Sequence, residues 1–268
     1  MEILYILIAV FLVSLTALVG IFTLSMREET LEKWIPSLIA LSTGAMLGGF
    51  FLHLLPKLNL LSVKQGIDFG TLSSLILFGI LFFYLTEKVF HWHHHHGPTK
   101  KEIENCPTCQ QKKIKPVGYM ILFSDGMHNF MDGVAIASAF HLGTEAGIIT
   151  TILVLLHELP QEIGDFGVLL NSGFTKFKAL WFNFLSGLTA VLGALLAFWA
   201  NQYINGISLY LTAIAGGSFI YIALVDLMPE LHKNKHENKK AFGREVIFVF
   251  LGIGLMWLVK WIKINYFS

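Results

Sequence analysis

Two apolar stretches of the chain each contain a cluster of side chains that can bind a divalent metal ion. The first cluster reads HNFMDG from residue 128, and the second reads HELPQE from residue 157. Residues four apart lie on nearly the same face of a helix, so each cluster presents two donors together with a polar neighbour on its flank. The sequence predicts six donors around one or two cations: His128, Asn129, Asp132, His157, Glu158 and Gln161.

The donor types indicate which ions these clusters bind. Imidazole suits zinc and other late first-row metals, while carboxylate and amide oxygens extend the range toward iron and manganese. Neither cluster contains a cysteine, so binding should stay weak enough for the ion to leave. We therefore expect Zn²⁺, or else Fe²⁺, Mn²⁺ or Cd²⁺, as a transported ion, and no resident cofactor.

The composition is typical of a membrane protein. Hydrophobic residues make up 54% of the chain and charged residues 14%, against about 25% charged in soluble domains. The net charge of +1 gives no indication of a nucleic-acid partner. Apolar runs of about 20 residues are long enough to cross a bilayer, and eight such runs predict an all-α integral membrane protein forming one transmembrane domain over residues 1–268. These segments one to eight are 3–25, 35–56, 69–90, 118–140, 146–170, 178–200, 207–230 and 245–266.

The distribution of basic residues predicts the orientation. If the N-terminus is outside, fifteen of the 19 Lys and Arg residues fall on the inner side, and Lys57, Lys64, Lys260 and Lys263 fall outside. Because cytoplasmic loops are enriched in Lys and Arg, we expect both termini outside, in a plasma (inner) membrane. The lipid bilayer and the metal ions are then the predicted partners, and assembly as a homodimer is left open.

A short internal repeat relates segments two and seven. The stretch His53-Leu54-Leu55-Pro56 corresponds to Asp226-Leu227-Met228-Pro229, and the same register pairs Gly44 with Gly217. The two segments run in opposite directions in the predicted topology. This pattern indicates an inverted repeat of helices 1–3 and 6–8 around a central pair, helices 4 and 5, as in many transporters.

Other polar residues in the apolar segments are weaker candidates for a metal site. Pro160 removes a backbone donor and obstructs the carbonyl of Leu156, which predicts a kink and a freed carbonyl that lines a cavity or is satisfied by a neighbour. We expect His53, Asp226 and Glu230 to form a polar cluster. The candidates for a secondary metal site or the ion pathway are Asp125, Glu162, Asp165, His53, Asn183, Ser186, Asp226 and Glu230.

The predicted inner loop over residues 91–117 contains further metal-binding side chains. A His-rich tract is followed by a Cys-Pro-Thr-Cys motif. Cytosolic thiols stay reduced, so a disulfide is not expected there, and short His- and Cys-containing tracts bind metal loosely. The loop candidates are His91, His93, His94, His95, His96, Cys106 and Cys109.

With these motifs, the chain resembles the Zrt-/Irt-like (ZIP) family of divalent metal transporters over essentially its full length. The fifth segment is similar to the branch that reads HExPHExGD, although Gln161 replaces the second His. The resemblance implies eight spans, a His-rich cytosolic loop, and import toward the cytosol through a site between helices 4 and 5. It also implies that a bundle of helices 1, 4, 5 and 6 slides against helices 2, 3, 7 and 8.

Two alternatives use the same residues. The stretch from His157 to Gln161 is similar to the HExxH motif of zinc metalloproteases, but Gln161 stands at a ligand position and Pro160 disturbs the required helix. A metal sensor without transport activity is the other alternative. We therefore expect a transporter and not an enzyme.

Overall fold

The computed structural model describes residues 2–23, 28–94, 116–233 and 239–266, and these residues are almost entirely helical. We number the helical segments α1 to α8. Four of them are uninterrupted α-helices: α3 (Phe69–His94), α4 (Pro116–Leu142), α5 (Thr144–Asn171) and α8 (Lys239–Tyr266).

The other four helices contain a local departure from regular α-helix, either another helix type or a break. In α1, Glu2–Ser14 continues through a 3₁₀ stretch, Leu15–Val19, to Gly20–Thr23. In α2, Glu28–Gly49 passes through a π-helical turn, Phe50–Leu54, into Leu55–Lys64. The last two are α6, made of Lys176–Gly187 and Thr189–Tyr203, and α7, made of Ile207–Tyr221, a π-helical turn at Ile222–Leu227, and Met228–Lys233.

Seven of these helices are long and apolar enough to cross a membrane, by length and composition. The exception is α4, which carries Asp125, His128, Asn129 and Asp132 among its apolar residues. The predicted class, an all-α membrane protein, is confirmed. The count of eight spans stays a prediction.

The structure extends the predicted internal repeat. An offset of 173 residues relates the π turn of α2 to that of α7, and in both turns the N–H five residues on closes the ring, Leu55 to Phe50 and Met228 to Ala223. Each turn ends two residues before a proline, which cannot donate and would clash with the carbonyl four residues earlier. The wider turn accommodates that proline, so the sequence motif of the repeat corresponds to a local backbone geometry.

The first and sixth helices obey the same offset. Residues 11–20 read FLVSLTALVG and residues 184–193 read FLSGLTAVLG, with six of ten positions identical. The hydroxyl of Ser14 donates to the carbonyl of Gly187, its own counterpart at a separation of 173. Both helices leave regular α geometry at this point, so the repeat covers helices 1 and 6 as well as 2 and 7.

Helix packing completes the pseudo-two-fold arrangement. Helix α2 packs along α8, and α7 packs along α3. A Cβ at Gly252 would meet the carbonyl of Leu41, and a Cβ at its counterpart Gly79 would meet the carbonyl of Ile214, the counterpart of Leu41. These glycines permit close backbone approach in both pairs.

The contacts divide the helices into two groups. Helices α4, α5 and α6 pack on one another and on α1, whereas α2, α3, α7 and α8 pack in the pairs just described. Contacts of α2 with α5 and of α7 with α4 join the groups. This division matches the two bundles that the family resemblance implies, and it places the central pair α4 and α5 against α2 and α7.

Two faces of the molecule are used below. The turn face carries Gly143, whose φ of 140° allows the one-residue connection between α4 and α5. The loop face is the opposite one, where α3 ends and α4 begins. On the connection between α2 and α3, the N–H groups of Gly70 and Thr71 donate to Asp68 and lower the pKa of that carboxyl group.

The glycine contacts predict which substitutions disturb the repeat. Gly252→Val should place a side chain against the backbone of α2 and destabilise the fold by about 1–3 kcal/mol. Gly254→Val, on the same helix, has no atom within 4 Å of the new Cβ and should leave the melting temperature unchanged. Thermal unfolding of both variants in detergent, followed by size-exclusion chromatography, measures this. Equal melting temperatures for the two variants would contradict the packing.

Candidate metal site

Four predicted ligands meet between α4 and α5. The one-residue connection at Gly143 makes these helices antiparallel neighbours, so His128 and Asp132 on α4 face His157 and Glu158 on α5. Asp132, His157 and Glu158 are buried, while the side chain of His128 is 13% exposed. One donor atom from each of the four lies within 4.8 Å of the others.

The spacing of these donors suits a single small cation. The Nε2 atoms of His128 and His157 are 3.1 Å apart, and Asp132 Oδ2 lies 3.1 Å from His157 Nε2 and 3.8 Å from His128 Nε2. Glu158 Oε1 lies 3.5 Å from the first imidazole nitrogen and 3.7 Å from the second. Ligands bound to zinc at 2.0–2.1 Å in a tetrahedron are about 3.4 Å apart. The four donors therefore stand close to the corners of such a tetrahedron.

A backbone contact orients one imidazole for metal binding. His157 Nδ1 is 3.0 Å from the carbonyl of Leu153, one turn earlier in α5. A carbonyl only accepts, so Nδ1 carries the proton in this hydrogen bond and Nε2 keeps a lone pair that points toward the other three donors. This arrangement, in which the second ring nitrogen is held by the backbone, is the usual one for a metal-binding His.

A second group of carboxylates lies on the same two helices, about one turn nearer the loop face. Asp125, Glu158 and Glu162 each offer an oxygen within 4.8 Å of the others, and all three are buried. Glu158 belongs to both groups. Two neighbouring ions could therefore share it as a bridging ligand.

Helix α6 supplies hydrogen bonds to this second group. Ser186 donates to Asp125, and Asn183 donates to Glu162. The amide of Asn129 donates to the other oxygen of Asp125 at 2.8 Å. The secondary candidates Asp125, Glu162, Asn183 and Ser186 thus form one connected network, and the α6 side chains contact carboxylates instead of making only helix–helix contacts.

Several buried oxygens of the two groups accept no hydrogen bond within the described part of the chain. They are both carboxylate oxygens of Glu158, Glu162 Oε1, Asn129 Oδ1 and Asn183 Oδ1. Buried polar atoms are normally satisfied, because an unpaired one costs about 1–3 kcal/mol. All five are acceptors, which a cation can satisfy.

A cavity of about 490 Å³ extends from His128 toward the loop face. His128 and Gln161 line it near the four-donor group, and Asp165 and Asp226 line it farther along. Gln161 is half-buried on this wall. The role of Asn129 and Gln161 as metal ligands stays a prediction.

One predicted grouping is wrong. His53 does not join Asp226, because it lines a separate cavity of about 220 Å³ near the turn face, together with Lys57, Glu145 and Lys260. There His53 Nε2 contacts the carbonyl of Met256 at 2.8 Å. The two residues are counterparts in an inverted repeat, and counterparts that lie toward the helix ends, unlike Ser14 and Gly187 at the centre, face opposite sides of the membrane. The side chain of Glu230 lies outside the described residues.

The predicted loop ligands also lie outside the described residues. The backbone of α3 is described as far as His94, but the side chains of His91, His93 and His94 are not, and neither are the residues His95, His96, Cys106 and Cys109.

Sequence reasoning did not identify the residues that enclose the site from the second bundle. Phe83 of α3 lies edge-on to His128, with ring centroids 6.0 Å apart, and Phe219 of α7 lies 6.1 Å from His157. Ser42 of α2 donates to the carbonyl of Leu156. Phe and Ser are common in transmembrane helices, so only the offset of the repeat could have drawn attention to these helices.

Comparison with known protein families agrees with this geometry. The family described as ZIP Zinc transporter matches residues 2–260. The chain belongs to the ZIP family. Membership confirms the resemblance seen in the sequence, and this family is one of transporters rather than enzymes.

Individual ZIP relatives match over part of their length. Human zinc transporter ZIP10 is 39% identical over 167 residues, which cover 62% of this chain and 20% of that protein. IAA-alanine resistance protein 1 of Arabidopsis thaliana is 44% identical over 148 residues, covering 54% and 31%. Mouse metal cation symporter ZIP14 is 40% identical over 143 residues, covering 53% and 29%. The matches thus span about a fifth to a third of each relative.

The four-donor group predicts metal-dependent stabilisation of the purified protein. Zn²⁺ at 100 times its Kd should stabilise the fold by about 2.7 kcal/mol, seen as a higher melting temperature. Asp132→Ala and His157→Ala should abolish this increase, because each removes a donor. His141→Ala, which alters a histidine paired with Glu2 at 2.6 Å near the turn face, should retain it. An increase that survives Asp132→Ala would show that zinc binds elsewhere.

Proposed function

We propose that the chain transports a divalent transition metal ion, zinc in the first place, across the membrane toward the cytosol. The observation that carries this proposal is the meeting of two imidazoles and two carboxylates between α4 and α5 at tetrahedral spacing. Ionisable groups at membrane depth are costly and mark ion pathways. Four of them, converging on one point in a member of a transporter family, are best explained by a transported cation.

The proposed ligands of the first ion are His128, Asp132, His157 and Glu158. Asn129 and Gln161 stand beside them as neutral donors that exchange with these ligands as the ion enters or leaves. Asp125 and Glu162, with Glu158 as the shared ligand, would hold a second ion. The oxygen-only character of this second group favours weaker zinc binding than the His-containing group provides.

The proposed direction rests on the cavity and on the charge distribution. The cavity extends from His128 toward the loop face, where Asp165 and Asp226 provide acidic groups along the wall. The enrichment of Lys and Arg in the loops of that face predicts that it is cytosolic. In this proposal the ion leaves past the two carboxylates, and the His and Cys residues of the 91–117 loop receive it. The membrane is the plasma (inner) membrane, with both termini outside.

Uptake into proteoliposomes tests the central assignment. Asp132→Ala should abolish saturable ⁶⁵Zn²⁺ uptake, because it removes a ligand that contacts both imidazoles. Asp68→Asn removes an exposed carboxylate at the start of α3 and should transport as the unaltered chain does. Uptake by Asp132→Ala within twofold of the unaltered protein would refute the proposed site.

Gln161 provides a test of selectivity. Gln161→His adds an imidazole on the cavity wall beside His128 and should shift preference toward zinc over manganese, because imidazole favours late first-row ions more than an amide oxygen does. The measurement is the inhibition of labelled zinc uptake by unlabelled Mn²⁺, in both variants. We expect at least a several-fold weaker inhibition by Mn²⁺ after the substitution. An unchanged ratio would mean that Gln161 does not contact the ion.

A further inference from the structure

The carbonyl of Leu156 lacks its ordinary partner in α5. In an α-helix this carbonyl accepts from the N–H four residues later, which here would belong to Pro160, and proline has no N–H. The helix nevertheless continues from Thr144 to Asn171. Within the apolar part of a bilayer, a carbonyl without a partner is unfavourable, and a donor from a neighbouring helix is one way to satisfy it.

Ser42 of α2 supplies this donor. Its hydroxyl oxygen lies 2.5 Å from the carbonyl oxygen of Leu156 and 2.9 Å from that of Leu38, one turn earlier in its own helix. A hydroxyl has a single proton, so the two carbonyls share it, and the shorter distance favours Leu156. Ser42 is 2% exposed. The hydrogen bond is therefore shielded from competition by water.

The bond acts on the turn of α5 that carries the proposed ligands. Leu156 directly precedes His157, whose Nδ1 donates to Leu153 in the same turn. On the other side of that turn, Leu153 packs against Gly49 of α2 so closely that a Cβ on the glycine would overlap it. The hydroxyl of Ser42 therefore adds a polar contact between the two bundles beside the apolar contact of Leu153 with Gly49.

We propose that Ser42 is a positioning residue for the metal site. Its hydroxyl replaces the backbone donor that Pro160 lacks. It thereby fixes the position of the His157 turn along α2, so that the imidazole of His157 lies beside His128 and Asp132. The inference rests on the proposed function, because it assigns a role relative to those ligands. It also makes a structural claim, the pairing of Ser42 with Pro160, that does not depend on metal.

The neighbouring residue provides a matched control. Thr43 is fully buried on the same helix, and its hydroxyl donates to the carbonyl of Ile39 in that helix, 2.8 Å away. Thr43→Val therefore removes a buried hydroxyl without removing a contact to α5. Ser42→Thr keeps a hydroxyl at the decisive position and serves as the conservative variant.

Metal affinity measures the positioning effect. In purified protein, Ser42→Ala should weaken Zn²⁺ binding about tenfold, the equivalent of one hydrogen bond to a buried acceptor, and should shift the visible absorption of bound Co²⁺, which reports coordination geometry. Thr43→Val should change neither quantity by more than about twofold, and Ser42→Thr should restore most of the affinity. Equal losses for Ser42→Ala and Thr43→Val, or no loss for either, would overturn the proposal.

A double-mutant cycle with Pro160 measures the structural claim without metal. In the Pro160→Ala variant the backbone N–H returns and can satisfy Leu156 within α5. Ser42→Ala should therefore lower the melting temperature of the metal-free protein by several degrees when Pro160 is present, and have little effect when it is combined with Pro160→Ala. Equal decreases in both backgrounds would show that Ser42 acts through another contact.

The same experiments separate this proposal from the proposed function. If Asp132→Ala leaves Zn²⁺ affinity unchanged, the site assignment fails, whatever Ser42 does. If Asp132→Ala abolishes binding while Ser42 and Pro160 show no coupling in the metal-free melting temperature, the site stands and the positioning role of Ser42 fails.

Discussion

The structure depends on the requirement that charged and polar groups inside a bilayer be satisfied from within the protein. Helices α4 and α5 place five carboxylates at or near membrane depth, against two imidazoles: Asp125, Asp132, Glu158, Glu162 and Asp165. Ser186, Asn183 and Asn129 donate to two of these carboxylates, and α1 supports the arrangement because Asn183 also donates to the carbonyl of Ala17. Side chains of α4 and α6 thus donate hydrogen bonds to a site whose carboxylates can only accept them.

The same requirement explains why prolines and altered helix types recur at fixed places. Pro56 and Pro229 each follow a π-helical turn, while Pro160 leaves a carbonyl that Ser42 satisfies from another helix. The symmetry of backbone geometry does not extend to charge. His53, Lys57 and Lys260 have Asp226, Glu230 and Glu87 as counterparts at the offset of 173. At these three pairs of equivalent positions the residues on the turn-face side are basic and those on the loop-face side are acidic, although the loops of the loop face contain most of the Lys and Arg residues.

The sequence was sufficient for the parts of the structure that follow from local pattern. The apolar lengths predicted the helices, and the spacing of four residues predicted that His128 and Asp132 share a face. The grouping of His53 with Asp226 failed because an inverted repeat places equivalent positions near the helix ends on opposite sides, where these two residues line separate cavities. The contacts of Ser42, Phe83 and Phe219 with the site could not be predicted, because they depend on which helices pack against α4 and α5. The spacing of residues along one segment does not indicate which distant segment packs against it.

The composition of the site also bears on how tightly an ion can be held. Two imidazoles and two carboxylates suit zinc, but every one of these donors also belongs to a helix that must move if access alternates between the two faces. His157 is tied to the backbone of its own helix through Leu153, so that its orientation would travel with α5. The contacts to Ser42, Phe83 and Phe219 come from the other group of helices and would have to be exchanged during such a movement. The proposed ligands thus belong to one bundle, while Ser42, Phe83 and Phe219 belong to the other. If the first bundle carries the ion in the proposed movement, the ligands would stay together while these outer contacts are exchanged.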